Sequence, residues 1–129
     1  MDDSKLFREL VSDWLTERGH VPVSVDSPAM LVSALHRERP DMVVVAVDLA
    51  GISGDKVAAI VRGHGYSDCP VVLLSARRDP SLPMLCVECG AVGYVIKDTD
   101  GNAFMRALEA HMPRRSLIPG ELMPRIRKK

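Results

Sequence analysis

The chain has 129 residues, enough for one domain with a substantial core, and its 17 basic and 17 acidic side chains leave no formal net charge at pH 7. A balanced charge offers no global field to recruit nucleic acid or an anionic membrane. No apolar run reaches the roughly 18 residues that a bilayer span needs, and Met1-Asp2-Asp3-Ser4 lacks both the basic and the apolar region of a secretory signal.

The first predicted element is a helix capped by Asp3 or Ser4. Leu6, Phe7, Leu10, Val11, Trp14 and Leu15 recur on one face at three- and four-residue steps, opposite Lys5, Arg8, Glu9, Asp13, Glu17 and Arg18. Gly19 closes it with a permissive backbone. His20 to Val25 alternates valines at 21, 23 and 25, the pattern of a strand at or near a sheet edge. Ser27-Pro28 then pairs a capping hydroxyl with proline at the first helical position. Met30, Leu31, Ala34 and Leu35 form that helix's apolar stripe, and Pro40 stops it.

Met42 to Val47 is a continuous apolar run bounded by Pro40 and by Gly51 and Gly54. Its β-branched content predicts a strand buried on both faces, as inside a parallel sheet. A short helix follows from Gly54 to Arg62, closed by Gly63-His64-Gly65, and Pro70 leads into a second apolar strand, Val71 to Ser75. Ala76 to Pro83 reads as a loop, with helix from about Met84 to Gly90. Cys86-Val87-Glu88-Cys89 has the C-x-x-C spacing of zinc and redox sites, yet no second pair or suitably spaced histidine accompanies it. Packed thiols in a reducing cytoplasm are the expectation. Gly93 to Lys97 is the last strand, and Asp100 caps a helix carrying Phe104, Met105, Leu108 and Met112. Residues 1–112 therefore form the domain, and 113–129, with the basic end Arg125 to Lys129, reads as a tail or linker. Alternating helices and strands of this kind predict an α/β fold, a doubly wound parallel sheet. In such a sheet the ligand site lies at the carboxyl ends of the strands.

Five landmarks stand in order along the chain: the pair Asp2-Asp3 just before the first helix, the strand end near Val47 with Gly54 beyond it, Ser75 ending its strand and followed by Ala76, Tyr94 within the last strand, and Lys97 at its end. Together they resemble the response-regulator receiver domain of bacterial two-component signalling, over roughly residues 2–112. The resemblance implies a flavodoxin-like receiver fold whose first strand is missing from the chain. It also implies that Asp2 and Asp3 correspond to the family's Mg²⁺-holding acids, Ser75 and Lys97 to its phosphoryl-binding hydroxyl and lysine, and Tyr94 to its aromatic switch. The phospho-accepting aspartate lies eight residues before the loop glycine, which here is Ala46. A methyl group neither attacks phosphorus nor gives a metal an oxygen. Asp48, two residues further on, reaches Lys97 or Mg²⁺ only if the loop turns back, and a solvated or turn-stabilising side chain is the expectation.

The expected function is that of a pseudo-receiver, a phosphorylation-independent module in a phosphorelay. It is not an enzyme, has no cofactor, and needs Mg²⁺ only if the acceptor carboxylate were restored. Protein partners would meet the face of the family's fourth helix, fifth strand and fifth helix, through Leu85, Tyr94 and Val95, while Phe104 packs in the core. The alternative is a true phospho-accepting receiver carrying an engineered aspartate-to-alanine change at position 46. Such a receiver would form the N-terminal part of a DNA-binding regulator, as Lys97-Asp98-Thr99 and the linker-like tail suggest. The chain alone is expected to bind neither membrane nor nucleic acid. The absent first strand would leave two inner edges unpaired. Residues encoded ahead of Met1 are the expected remedy. The other routes are the C-terminal segment around Ser116 to Ile118, or a strand lent by another copy through a homodimer or strand exchange.

Overall fold

A computed structural model describes residues 1, 4–49, 52–65, 69–97, 100–112 and 127–128, with backbone alone for 48–49, 52–55 and 127–128. Asp2, Asp3, Asp98, Thr99 and the segment Ser116 to Ile118 therefore lie outside the described residues. In chain order the elements are α1 (Lys5–Glu17), β1 (Val21–Pro22), α2 (Pro28–Glu38), β2 (Val43–Ala46), β3 (Asp48–Leu49), β4 (Ile52–Ser53) and α3 (Gly54–Gly63). They continue with β5 (Val71–Ser75), α4 (Leu82–Cys89), β6 (Gly93–Ile96), α5 (Gly101–Glu109) and β7 (Arg127–Lys128).

The helices begin where the capping chemistry dictates. Ser4 accepts the Phe7 N–H, Ser27 accepts the Met30 N–H, and Asp100 accepts from both Asn102 and Ala103. Gly90 ends α4 at φ +80°, a left-handed backbone that glycine adopts without a Cβ penalty. β2, β5 and β6 form a parallel sheet in that order, with Val43 opposite Val71 and Val72 opposite Gly93. All of β2 and β5 is buried, as a strand covered on both faces requires.

Alternation along these strands divides the core in two. Val43, Val45, Val71 and Leu73 face one side, with Leu31, Leu35, Val57 and Val61 from α2 and α3. Met42, Val44, Val72 and Leu74 face the other, with Leu15 from α1 and Phe104, Met105 and Leu108 from α5. The doubly wound α/β reading thus holds.

Several local expectations change. The buried stripe of α1 runs through Phe7, Val11, Trp14 and Leu15, leaving Leu6 70% exposed and Leu10 at the surface. Met30 is likewise exposed on α2. Each of these three sits about one residue, or 100° of helix, away from the contact line. Helix α4 starts at Leu82, before Pro83, because proline is tolerated in a first turn whose N–H groups have no helical acceptor. The loop after β2 contains a small antiparallel hairpin, β3 with β4, pairing Asp48 with Ser53. At the C-terminus, β7 pairs in parallel with β1, so part of the expected tail docks on the domain.

Candidate functional site

Three parallel strands end side by side. Ala46 pairs with Leu74, and Ser75 pairs with Ile96. Beyond these pairs the Val47 N–H donates to the Leu74 carbonyl at 2.7 Å, and the Lys97 N–H donates to the Ser75 carbonyl at 2.8 Å. The backbones of Ala46, Ser75 and Lys97 are therefore brought together at the carboxyl edge, where sheets of this kind hold ligands.

Their side chains are engaged in structural contacts. Ala46 is 1% exposed, and its N–H donates to the Met1 carbonyl at 2.8 Å. The buried Ser75 hydroxyl donates to the Arg77 carbonyl at 2.6 Å and accepts from the Arg77 N–H at 3.3 Å. Lys97 extends over α1, with Nζ 4.9 Å from the Phe7 ring centroid. Phe7 in turn meets Trp14 and Phe104 edge-on, and those two rings meet each other at a tilt. Asp48 lies in the β3–β4 hairpin, and Asp2 and Asp3 fall outside the described residues.

The described side chains at this edge do not fit a Mg²⁺ ion. Such an ion is held by several hard oxygens, whereas Ala46 presents a methyl and the Ser75 hydroxyl is bound to its own loop. No group of three or more potential metal-ligating His, Cys, Asp or Glu residues occurs among the described residues.

On the neighbouring face, Val95 is 4% exposed and packs with Phe104, Met105 and Leu108. Tyr94 and Leu85 are half-buried against the opposite core. Strand alternation sends Tyr94 and Val95 to opposite sides of β6, so they cannot share one partner surface. Val95 is thus corrected from interface to core. The apolar side chains exposed there are Met84 and Val87 on α4, with Val92 just before β6.

Two further features escaped the sequence. Asp79 accepts the Ser81 N–H at 2.9 Å and the Ser81 hydroxyl at 2.8 Å, bonds that hold its carboxyl below the usual range. The spacing Asp79-x-Ser81 ahead of a helix was its available signal. Glu109 joins α5 to α1, meeting Arg18 at 2.7 Å and His20 at 3.2 Å, while Arg18 also reaches Asn102 at 3.4 Å. Nothing local in the sequence points to that cluster.

The family description "Response regulator receiver domain" matches residues 1–109. The response regulator protein FleR of Pseudomonas aeruginosa is 28% identical over 86% of this chain and 23% of its own length. The transcriptional regulatory protein AfsQ1 of Streptomyces coelicolor is 30% identical over 88% of this chain and 50% of its own. This chain thus spans about half, or less, of the curated relatives it matches. Among solved structures, the chemotaxis protein CheY4 of Vibrio cholerae superposes with a TM-score of 0.79 at 21% identity, covering 84% of this chain and 92% of that one. The activated receiver domain of Klebsiella pneumoniae RstA gives 0.76 at 24% identity, covering 88% and 95%. Those two likenesses establish the flavodoxin-like receiver fold, and with the family match over residues 1–109 they lead to one conclusion: the chain belongs to the response regulator receiver domain family.

Proposed function

We propose that this receiver signals through protein contacts without being phosphorylated at the end of β2. The observation that carries the reading is Ala46, a buried methyl where the family's chemistry requires a carboxylate nucleophile. The bonding of Ser75 within its own loop and the seat of Lys97 on Phe7 support it, because both side chains have structural partners without a phosphoryl group. The protein is then a cytoplasmic, cofactor-free module rather than an enzyme. Its partner meets the face made by α4, β6 and α5, where Met84, Val87 and Val92 are the apolar positions at the surface. Tyr94 and Leu85 contribute from beneath.

The test is incubation of the chain with Mg²⁺ and acetyl phosphate, followed by intact-mass spectrometry. An unmodified chain is the expected result. A phosphoryl adduct, on Asp48 or any other carboxylate, overturns the reading.

A second reading draws on Ser75 and Lys97 standing at adjoining strand ends. It holds that position 46 is properly an aspartate and that alanine was introduced there. The domain would then be the phospho-accepting part of a DNA-binding regulator, in keeping with relatives such as AfsQ1 that are named transcriptional regulators. Ala46→Asp separates the two. Modification of that variant by acetyl phosphate with Mg²⁺ supports the second reading, and its failure to react while still folded supports the first.

A further inference from the structure

Helices α2 and α3 pack side by side, with Leu31 and Leu35 of one in the same apolar cluster as Val57 and Val61 of the other. Each ends just before the strand it leads into, β2 or β5. Their last turns therefore stand at the amino ends of those strands, the opposite end of the sheet from Ala46. A histidine occupies each of these turns. His36 lies in the last turn of α2, beside the buried Leu35. His64 directly follows α3, where its N–H donates to the Ile60 carbonyl at 3.1 Å. Both residues are exposed, and their imidazole centres are 5.9 Å apart with the rings at 82°. The arginines of the same two turns are engaged elsewhere. Arg37 pairs with Glu38 at 3.2 Å, and the Arg62 guanidinium lies against Gly90 at the end of α4.

We propose that His36 and His64 form a two-imidazole site for a divalent transition-metal ion, with Zn²⁺ the best match. Imidazole suits ions of this class, whereas Mg²⁺ and Ca²⁺ take oxygen ligands. Zn²⁺ imposes no d-electron geometry, so two imidazoles with water completing the shell can hold it. The spacing agrees. A ligating nitrogen lies about 1.1 Å from its ring centre and about 2.0–2.1 Å from the ion, so each centre stands about 3.2 Å from the metal. A tetrahedral ion then sets the two centres about 5.2 Å apart, against 5.9 Å here. In the edge-on pair one ring turns its face to the other's edge, so that ring must rotate to present a nitrogen. The torsion that turns an imidazole is broad, and at an exposed position nothing packed resists it. The backbones that carry both rings are already fixed by the packing of α2 on α3, so ion binding orders little further chain. Two helix dipoles also end there, and their negative poles favour a cation. The bound ion clips the end of α2 to the end of α3.

The test titrates Zn²⁺ alone into the full chain by isothermal calorimetry near neutral pH, with the melting midpoint followed in the same solutions. One Zn²⁺ per chain is expected, with affinity on the order of micromolar and a rise in the melting midpoint. His36→Ala and His64→Ala should each weaken binding at least tenfold and remove that rise. His36→Gln and His64→Gln serve if an alanine variant fails to fold. His20, paired with Glu109, and His111, against Gly93, stand apart from the site, so His20→Ala and His111→Ala should bind as the native chain does. Unchanged affinity in a folded variant at position 36 or 64 overturns the proposal. A native chain that takes up no Zn²⁺ at millimolar concentration overturns it as well.

Discussion

The Ser75 hydroxyl spends both its donor and an acceptor position on Arg77, two residues along. This is a local turn of the sort that serine makes with its own backbone. Ser75→Ala removes both bonds, while Arg77, being exposed, regains water. Urea unfolding should therefore show a loss of only about 1 kcal/mol. A loss near zero would show that the turn stands without its hydroxyl. The buried thiols on α4 give a second prediction. Burial pushes the Cys86 thiol up, and the neighbouring Cys89 adds to the effect. With a folded pKa above the ordinary 9.0, the unfolded chain loses its proton first on the alkaline side. Stability from this group is thus level below about pH 9 and falls as pH rises further. Urea midpoints measured from pH 8 to 10.5 should decline more steeply for the native chain than for Cys86→Ala. Parallel declines would remove Cys86 as the cause.

Among the described residues helix α4 is the shortest of the five, and no side chain caps it at Ser81. Its start is held one step earlier, where Asp79 gathers the Ser81 N–H and hydroxyl and its carbonyl accepts the Leu82 N–H at 3.0 Å. Those bonds favour the ionised carboxylate, so their support is present above the ordinary pKa of 3.8 and is lost as pH falls through the lowered folded value. Asp79→Ala should speed amide exchange at Leu82 and Leu85 near neutral pH, and the difference from the native chain should shrink toward pH 3. Equal exchange at neutral pH would show that the carboxylate does not hold the helix start. The helix also shows why some of the fold was legible and some was not. Apolar runs such as Val71 to Ser75 declare a buried strand through composition alone, and a strand end then places Ser75 and Lys97 at the ligand edge. Pro83 obscured the start of α4 because proline marks a boundary without saying on which side the helix lies. Leu6 and Leu10 fitted a stripe that packing then rotated toward Phe7 and Val11. The seat of Lys97 on Phe7 is a product of tertiary approach, which no periodicity encodes.

At the scale of the molecule, one sheet separates two apolar clusters that share no side chain. Val43, Val45 and Leu73 belong to the first, Val44, Val72 and Leu74 to the second, and they alternate along the same strands. Neither half can lose its helices without exposing one face of strands that the other half needs buried. Each exposed valine or leucine would forfeit on the order of 1.5–3 kcal/mol, a large fraction of a small domain's whole stability. The halves should therefore unfold as one unit. The chain carries its own reporters for this. Its one tryptophan, Trp14, packs against the α1–α5 side, while Cys86 and Cys89 are buried on the α2–α3–α4 side. Trp14 fluorescence and the labelling of Cys86 and Cys89 by a thiol reagent, each followed through urea, should give the same midpoint and the same slope. If the tryptophan transition came first, α1 and α5 would form a separable layer, and the sheet would be stable with one face bare. Coincident curves would mean that the alternation within four- and five-residue strands couples the helices on both faces into a single cooperative domain.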